Sequence, residues 1–465
     1  MPNFRGLSRA VAITVVLAGR STFAAAPDSK PATTAPEEIV AASPVIPEAR
    51  FNLKDFGAAG DGKTFDTDAF KKAVAAVAAA GGGHLIVPAG TYKTLPFSLP
   101  SRIDLHLDPG AIIKAPETFA EYGIPDPSDP ANAASYQGGR GATVAPLISC
   151  PQNSTDISIT GSGTIDGSGK EFWDWSDKAA RKYPAGRPIV ARPALVSLTG
   201  VQRLLVQGIT LTNSPMFHLV PRGQDITIDS IRVLAPHDAP NTDAMDPGGQ
   251  RILIKNCRID TGDDNVALQS GSRDVLIENL ECLHGHGISI GSPTKNGLSH
   301  IVVRDCSFDG TDNGLRIKSY RGNGGDVHDI SYTNITMKNV RRPIDLNMRY
   351  NGNAATGGDV GPRDAQPGQT QAIPHFHDIH FENITVTGSP AAGRILGLPE
   401  QPAHDITLRH ITIQADHNFD LQDARTISFE DCRITTPDAQ PLSLDNAEVT
   451  WNGKKFSSPA TTPSR

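Results

Sequence analysis

The sequence lacks three features that would point to other classes of protein: a long apolar segment, a basic surplus and zinc-type cysteine spacing. The apolar run at residues 10–19 is too short to span a bilayer. The formal net charge is −7, whereas nucleic-acid-binding domains usually carry an excess of basic residues. We therefore expect neither a membrane nor a nucleic acid as a partner.

Cysteine is scarce as well. The chain has five cysteines, an odd number, so at least one thiol stays unpaired unless it pairs between chains. Their spacings match no zinc motif, and none precedes Cys150, which argues against a lipid-anchored form. Cys257, Cys306 and Cys432 share one position of the repeat described below, which predicts small apolar residues that face inward.

Both ends of the chain are predicted to lie outside the folded domain. Arg5 and Arg9 precede the apolar run and three alanines follow at 24–26, which predicts a signal peptide over 1–26, with a disordered tail as the alternative. Residues 27–50, rich in Pro, Ala, Ser and Thr, predict a disordered linker. With a second disordered tail at 457–465, the domain should cover 51–456, and the protein should be secreted or periplasmic.

A single early helix is predicted ahead of a long array of strands. Asp66 or Thr67 can cap a helix over 68–80, whose alanine-rich run favours helix, and three glycines at 81–83 would end it. Alternating strand-like runs follow at 84–87 and 103–107. Because the terminal unit of a solenoid must be atypical, this helix would cover the open end of one.

A short pattern then recurs, with apolar residues first, fourth and sixth and most often Asn, Asp or Gly third. Its third positions follow one another at a period in the twenties, apart from one longer gap between 334 and 383, and they are 208, 230, 256, 279, 305, 334, 383, 410 and 431. Such a period indicates a solenoid, and the third residues favour left-handed turns and stacked amide ladders. We predict an all-β, single-domain parallel β-helix, in which the longer gap is one coil with an insertion or two coils.

Each coil carries a second strand, and these strands align residue by residue. They are 265–270, 287–292, 314–319 and 343–347. Because apolar residues point inward, Arg316 and Lys318 should both point outward. Asp264 and His286 fall at equivalent places just before these strands, and Asp243 precedes Asp264 by almost the same interval, close to one coil. The sequence thus predicts one outer stripe of charged side chains.

This stripe has the residue types that acid/base hydrolysis of an acidic polymer needs. Glycoside hydrolysis uses one protonated and one ionised carboxyl group, and crowding among Asp243, Asp263 and Asp264 would raise at least one pKa. His286 could tune a neighbouring Asp, its flanking glycines would let backbone approach a ligand, and the two cations could grip a substrate carboxylate. Taken singly, each group also suits a simpler role: a solvated turn, a cap, a structural histidine, a surface cation pair or a calcium site.

Four clusters follow one another, one to a coil: Asn241-Thr242-Asp243, Gly262-Asp263-Asp264, Gly285-His286-Gly287 and Arg316-Ile317-Lys318. Further short motifs are Asp55-Phe56-Gly57-Ala58 with Gly60-Asp61-Gly62, the run from Gly161 to Gly167, and Asn213-Ser214-Pro215. Together they resemble the polygalacturonase-like family of glycoside hydrolases over most of the chain from Phe51 onward. The resemblance implies a right-handed β-helix that hydrolyses α-1,4-linked galacturonan in pectin, an acidic plant cell-wall polysaccharide, with no metal or organic cofactor.

The resemblance also implies a role for each site residue. Asp263 would be the general acid, while Asp243 and Asp264 would activate the attacking water and give inversion at the anomeric carbon. The implied supporting residues are His286 beside the acid, Asn241, which orients the site, and the substrate-binding residues Arg316, Lys318 and Tyr350.

Some positions depart from the common family pattern: Ala244-Met245 replaces Gly-Ile, Asn265 stands where Cys is frequent, and Gln269 where Lys is frequent. They leave a substituted pectin, such as rhamnogalacturonan or xylogalacturonan, open as the substrate. A Ca²⁺-dependent β-helix polysaccharide lyase and a non-catalytic glycan-binding β-helix also stay open. Insertions at 120–145 and 170–192 are expected to wall a groove, and they are long enough to close one end for exo action. A monomer is expected.

Overall fold

The computed structural model describes residues 39–129, 131–132, 142–176, 190–351, 359–365 and 371–458. The predicted signal peptide over 1–26 lies outside the described residues, as do 27–38 of the predicted linker and 459–465 of the predicted tail. Within the part of the chain that the structure describes, no helix has the length and apolar character that crossing a membrane requires.

Short strands dominate the described chain. In order they are β1 Arg50–Asn52, β2 Asp61–Phe65, β3 Gly83–Val87, β4 Gly90–Lys93, β5 Phe97–Ser98, β6 Ile103–Leu107, β7 Ala111–Lys114, β8 Ala142–Thr143, β9 Ile148–Ser149, β10 Thr155–Gly161, β11 Thr164–Asp166, β12 Val190–Ala191, β13 Val196–Gln207, β14 Thr210–Thr212, β15 Leu219–Asp229 and β16 Arg232–Leu234. They continue as β17 Gly248–Lys255, β18 Arg258–Asp260, β19 Val266–Leu268, β20 Arg273–Glu278, β21 Glu281–Cys282, β22 Ile288–Ile290, β23 Leu298–Arg304, β24 Ser307–Asp309, β25 Asn313–Lys318, β26 Asp326–Lys338, β27 Arg342–Asn347, β28 His375–Leu396, β29 Ala403–Glu430, β30 Arg433–Thr435, β31 Leu442–Trp451 and β32 Lys454–Ser458. The helices are α1 Thr67–Ala79, α2 Lys170–Trp175 and a 3-10 helix at Leu53–Phe56.

Parallel pairing between successive coils stacks these strands into three sheets around one core. The first sheet runs from β1 through β3, β6, β10 and β13 to β15, β17, β20, β23 and β26. The second runs from β2 through β4, β7, β11, β14, β16, β18 and β21 to β24. The third contains β19, β22, β25 and β27, and the long strands β28 and β29 bend through all three. The predicted parallel β-helix is confirmed.

The core consists of columns of apolar side chains, each packed on the same position of the next coil. The first residue of the repeat forms one such column, with Ile254 paired to Ile277 and Ile277 to Val303, and it continues through Tyr332 and Phe381. All of these side chains are buried. Because alternate residues of a strand point to the same face, the repeat places apolar columns inside the first and second sheets.

The third residue of the repeat forms a column of left-handed turns. All nine of these residues have φ between 51° and 78°, Gly208 having the largest value. The Asn279 side-chain amide donates to Asn256 Oδ1 at 2.8 Å, and that of Asn383 donates to Asn334 Oδ1 at 3.2 Å. The predicted turn conformation and amide ladder are both confirmed.

The longer gap between 334 and 383 is one coil with an insertion. Strand β26 pairs directly with β28, and Tyr332 stands opposite Phe381, so no coil intervenes. The additional chain lies between β27 and β28, directly after Tyr350.

All five cysteines are free thiols, and four of them are buried: Cys257, Cys282, Cys306 and Cys432. Burial raises the pKa of the Cys257 and Cys306 thiols to about 12. The prediction that Cys257, Cys306 and Cys432 act as small inward-facing apolar residues is confirmed.

The N-terminal helix begins one residue earlier than predicted, at Thr67, and buries Phe70, Ala73 and Val77 against the core. Asp66 precedes it without capping it through its side chain. Its carboxylate instead accepts backbone N–H bonds from Ala59 at 2.6 Å and Gly60 at 3.1 Å, so it fixes the preceding turn.

Ordered structure starts before the predicted boundary at Phe51. The backbone N–H groups of Ala42 and Val45 donate to the buried carboxylates of Asp225 and Asp156, at 3.1 and 2.9 Å. These bonds hold residues 39–49, the end of the predicted linker, along the surface of the β-helix.

Candidate active site

The predicted stripe forms one cluster at the start of the strands of the third sheet. Val266 pairs with Ile288 and Ile288 with Leu315, so the residues two positions before Val266 and Ile288, Asp264 and His286, lie at the same level on successive coils. Register therefore brings together side chains that are far apart in sequence.

Asp263 is held from two sides. His286 Nδ1 lies 2.8 Å from one carboxylate oxygen, and the Asn241 side-chain amide donates to the other at 3.2 Å. The second ring nitrogen of His286 lies 3.5 Å from Asp312 Oδ2, so the imidazole stands between two carboxylates. The Asp263 side chain is 11% exposed, and that of Asp264 only 3%. Of these two carboxylates, that of Asp263 is thus the more accessible to solvent.

Asp264 carries both predicted substrate-binding cations. Lys318 Nζ donates to Oδ2 at 2.7 Å, and Arg316 Nη2 donates to Oδ1. Ser289 links the group further, because its hydroxyl donates to Asp264 at 3.2 Å and accepts from Arg316 Nε at 2.8 Å. The two cations point away from the apolar core, as predicted, but they are largely buried because Asp264 binds them.

Asp243 has the opposite environment. It is buried, and its Oδ1 has no hydrogen-bond partner. Burial, and after it the negative charge of Asp263, raises the pKa of Asp243 well above its usual value. The backbone carbonyl of Asp243 accepts from His218 Nδ1 at 3.1 Å, and burial lowers the pKa of that histidine to about 4. Burial thus favours the protonated form of the Asp243 carboxyl group.

Tyr350 also belongs to the cluster. Lys318 Nζ lies 5.4 Å from the centre of the Tyr350 ring, a cation–π distance. The Tyr350 backbone N–H donates to the Ser319 carbonyl at 2.9 Å, which fixes the residue beside the end of β25. The structure therefore brings together all eight residues that the sequence predicts for this site.

Sequence reasoning missed three residues of this cluster: His218, Asp246 and Arg192. Burial, and then the charge of Asp264, raises the pKa of Asp246 to about 7. Asp246 could have been found, since it lies three residues after Asp243, just beyond the Asn241-Thr242-Asp243 cluster. Arg192 donates to the Asn241 side-chain oxygen at 2.8 Å, but it ends an insertion without periodicity and gives no sequence signal.

The glycines beside His286 allow neighbouring coils to approach closely. A Cβ at Gly285 would lie 2.3 Å from the Asp263 carbonyl oxygen, and one at Gly287 would lie 2.2 Å from that of Asn313. Both glycines also have positive φ, +111° and +73°. The packing of the coils thus requires glycine at both positions, and the approach of a ligand there stays a prediction.

The two early insertions pack together in their described parts. Phe119 and Ile124, at the first, join Phe172 and Trp175 from the second in a small hydrophobic cluster. Strands β8 and β12 pair alongside. Arg192 follows directly and contacts Asn241, so this wall adjoins the site.

One group here could hold a metal ion by distance alone. Asp263, Asp264 and His286 each offer a ligand atom, and these atoms lie within 4.8 Å of one another. However, both oxygens of Asp264 already bind positive side chains, Lys318 and Arg316. A calcium ion would have to compete with these fixed cations, so the donor set does not suit one.

Comparisons with family models and known proteins find similarity over most of this chain. The model of the glycosyl hydrolases of family 28 matches residues 134–438, and a model described as rhamnogalacturonase A/epimerase, pectate lyase-like, matches residues 50–137. A probable polygalacturonase from Vitis vinifera is 30% identical over 383 residues, which cover 78% of this chain and 74% of that protein. A polygalacturonase from Juniperus ashei is 33% identical over 377 residues, which cover 78% of this chain and 68% of that protein.

Solved structures share the fold. That of a hyperthermoactive exopolygalacturonase from Thermotoga maritima superposes with a TM-score of 0.66 at 26% identity, over 90% of this chain and 95% of that one. The fold is thus a right-handed parallel β-helix.

Proposed function

The chain belongs to the glycosyl hydrolases of family 28, and from that premise we propose that it hydrolyses α-1,4-linked galacturonic acid bonds in pectin. The observation that carries the proposal is that three carboxyl groups and two cations lie in one cluster. The carboxyl groups are those of Asp243, Asp263 and Asp264, and the cations are Arg316 and Lys318. Polygalacturonases among the relatives support the choice of galacturonan as the substrate.

We assign proton donation to Asp263. A general acid must reach the glycosidic oxygen, and its bonds to His286 and Asn241 fix its orientation. The proton comes from Asp243, whose raised pKa favours its protonated form. Asp243 and Asp263 can share this proton because close carboxyl groups titrate as a pair. When Asp263 takes that proton, Asp243 is left ionised.

Asp264, together with the ionised Asp243, then receives a proton from the attacking water. The bond from the anomeric carbon to the leaving oxygen breaks as the bond to water forms on the opposite face. Asp263 ends ionised and the base ends protonated, and solvent restores both. This sequence inverts the anomeric configuration.

Arg316 and Lys318 take the substrate carboxylate in this proposal. Each still has N–H groups beyond those that bind Asp264 and Ser289, because Arg has five and Lys three. Tyr350 beside Lys318 would pack against the sugar ring. The same two cations therefore connect the base to the charged group of the substrate.

The rival activities fit less well. A calcium-dependent lyase needs carboxylate oxygens that are open to the ion. Both carboxylate oxygens of Asp264 bind cations instead, Arg316 and Lys318. A passive binding module gives no reason for a buried carboxyl group without a hydrogen-bond partner, as in Asp243.

Proton NMR of a polygalacturonate digest tests the reaction. We expect a β-anomeric reducing end in the first minutes, before mutarotation, and unchanged activity in chelator. Vinyl signals from unsaturated products would instead establish a lyase, and an early α-anomer would contradict inversion. If polygalacturonate is not cleaved, the same assay on rhamnogalacturonan and xylogalacturonan decides between a substituted pectin and a binding role.

We further propose exo action, because the wall built by the two insertions adjoins Asn241 through Arg192. An exo enzyme releases one small product from the start while the viscosity of the polymer falls slowly. A mixture of oligomers early in digestion would contradict this.

Secretion or export to the periplasm completes the proposal, and it rests on the N-terminal sequence. N-terminal sequencing of the mature protein from medium and periplasm should find residues 1–26 removed. A cytoplasmic protein that retains them would contradict export. Light scattering should give the mass of a monomer.

A further inference from the structure

Histidines gather on the first sheet, on strands that the catalytic cluster does not use. His328 lies on β26, His375 and His377 on β28, and His404 on β29. His377 pairs in register with His404, and their rings stack with centroids 5.2 Å apart. The ring of His328 stacks on the other side of His377 at 5.1 Å. Three successive coils thus present imidazoles at one place.

The hydrogen bonds of two rings determine which nitrogen carries the proton. His375 Nδ1 lies 3.0 Å from Asp326 Oδ1, and His404 Nδ1 lies 2.7 Å from Asp405 Oδ2. A carboxylate only accepts, so both Nδ1 atoms must carry hydrogen. In neutral rings the Nε2 atoms are then acceptors, yet His375 Nε2 and His404 Nε2 lie 2.8 Å apart. Two lone pairs at this distance repel each other, so either a proton or a metal ion lies between them.

A third imidazole stands beside this pair. His377 Nε2 lies 2.8 Å from Asp326 Oδ1, which leaves His377 Nδ1 as an acceptor. Its ring centre is 4.2 Å from that of His375. Ligand atoms of Asp326, His375 and His377 also lie within 4.8 Å of one another.

We propose that His375 and His404 bind a divalent transition-metal ion through their Nε2 atoms, with Zn²⁺ as the type, while the His377 ring stacks on His404. Two nitrogens on tetrahedral zinc lie about 3.3 Å apart, so the two Nε2 atoms need to separate only slightly. A carboxylate on the far nitrogen of each ring, here Asp326 and Asp405, is the usual support of metal-binding histidines. The side chains of the three histidines are 23% to 32% exposed, so an ion can enter from solvent.

The bound ion would join β28 to β29, and His375 is the first residue of β28, directly after the insertion that follows Tyr350. The site therefore cross-links coils and fixes the end of that insertion. Because the ion would bind the folded chain alone, it should raise the melting temperature in proportion to the logarithm of its concentration.

Calorimetric titration of the metal-free protein, without an affinity tag, with ZnCl₂ tests the site. We expect one equivalent bound per chain and a rise in melting temperature. His375→Asn and His404→Asn should each weaken binding by about 100-fold or more, and Asp405→Asn by about 10- to 100-fold. His380→Asn is the matched control, because His380 lies on the same strand and bonds Asp378 at 2.9 Å, and it should bind Zn²⁺ like the wild type.

Cobalt absorption provides a second measurement that needs no variant. Co²⁺ in this site should show the visible bands of a tetrahedral nitrogen-ligated ion, and Zn²⁺ should remove them. Absence of the zinc equivalent, or equal binding by the His404→Asn and His380→Asn variants, would overturn the proposal. So would an NMR titration that finds one proton shared by His375 and His404 with Zn²⁺ present. All of these readouts are independent of the hydrolase activity.

Discussion

The catalytic cluster and the column of left-handed turns are built by the same device and behave differently. In both, coil register brings together side chains that are far apart in sequence, such as Asp264 with Lys318 and Asn256 with Asn279. In the turn column the two residues of the pair, Asn256 and Asn279, are neutral amides at exposed positions. In the catalytic cluster they are buried charges. Stacking of the coils thus determines which residues come into contact. Residue type and burial determine whether the contact is a hydrogen bond on the surface or a buried ion pair.

The largest effect should come from removing the proposed proton donor. Asp263→Asn keeps the size of the side chain but cannot protonate the leaving oxygen, so kcat should fall by about 10²- to 10⁴-fold. Asp260→Asn is the matched control, since Asp260 makes an equally short bond to His284, 2.7 Å, at a more exposed place. Initial rates on polygalacturonate measure both. Comparable losses in the two variants would show that Asp–His pairing matters only for the fold.

A second large effect concerns the stability of the charged cluster. Arg316→Met removes one of the two cations that compensate the buried charge of Asp264 and leaves Lys318 as its partner, so the free energy of unfolding should fall by about 1.5–3 kcal/mol. Arg258→Met breaks an exposed pair with Glu281 and should cost about 1 kcal/mol or less. Urea unfolding at neutral pH compares them.

Adding Asp264→Asn to Arg316→Met should lower the stability further, because the buried Lys318 ammonium then loses its ionised partner. Equal costs for Arg316→Met and Arg258→Met would contradict the contrast between buried and exposed pairs.

The carboxyl groups with raised pKa predict how stability changes with pH. The pKa of Asp246 lies at about 7 in the folded protein against an ordinary 3.8, so the folded state holds the extra proton between these values. Stability should therefore decline as pH rises through this window. Asp246→Asn should flatten that slope by up to about 1.4 kcal/mol per pH unit, though Asp243 contributes in the same direction.

Urea unfolding midpoints between pH 4 and pH 8 measure the slope. Asp238→Asn, at an exposed position, should leave it unchanged. An Asp246→Asn variant with the wild-type slope would show that the burial of Asp246 does not hold its proton.

The fold and the meeting of the carboxyl groups with His286, Arg316 and Lys318 could be predicted because both follow from register, whereas Tyr350 was expected only from the family resemblance. A period in the twenties determines which positions stack. This period alone was enough to place Asp264 and His286 at the same level on successive coils. The pairing of Arg316 and Lys318 with Asp264 could not be predicted, since spacing does not say which charges compensate one another once buried. The same holds for the glycines beside His286, whose role depends on the distance between coils.

Residues supplied by irregular segments were beyond reach for a different reason. Arg192 comes from an insertion, where no period relates it to Asn241. The histidine cluster was visible as His375-Phe376-His377, and its meeting with His404 follows from the regular interval between 383 and 410. Its stacking on His328 depends on the long gap between 334 and 383 being a single coil.

The smallest predicted effect lies in the turn column, and it separates backbone conformation from side-chain bonding. Asn279 has φ 53° and donates to Asn256. Asn279→Ala loses the amide bond and puts alanine, which lacks the polar side chain by which Asn tolerates it, in a left-handed conformation, which should cost about 1–2 kcal/mol. Asn279→Gly loses only the bond, at about 0.5 kcal/mol, because glycine adopts this φ without strain. Both variants should cleave substrate at the wild-type rate. If Asn279→Gly lowers the free energy of unfolding as much as Asn279→Ala does, the ladder bonds and not the turn conformation stabilise the column. The turn column would then resemble the catalytic cluster, where contacts between side chains also dominate.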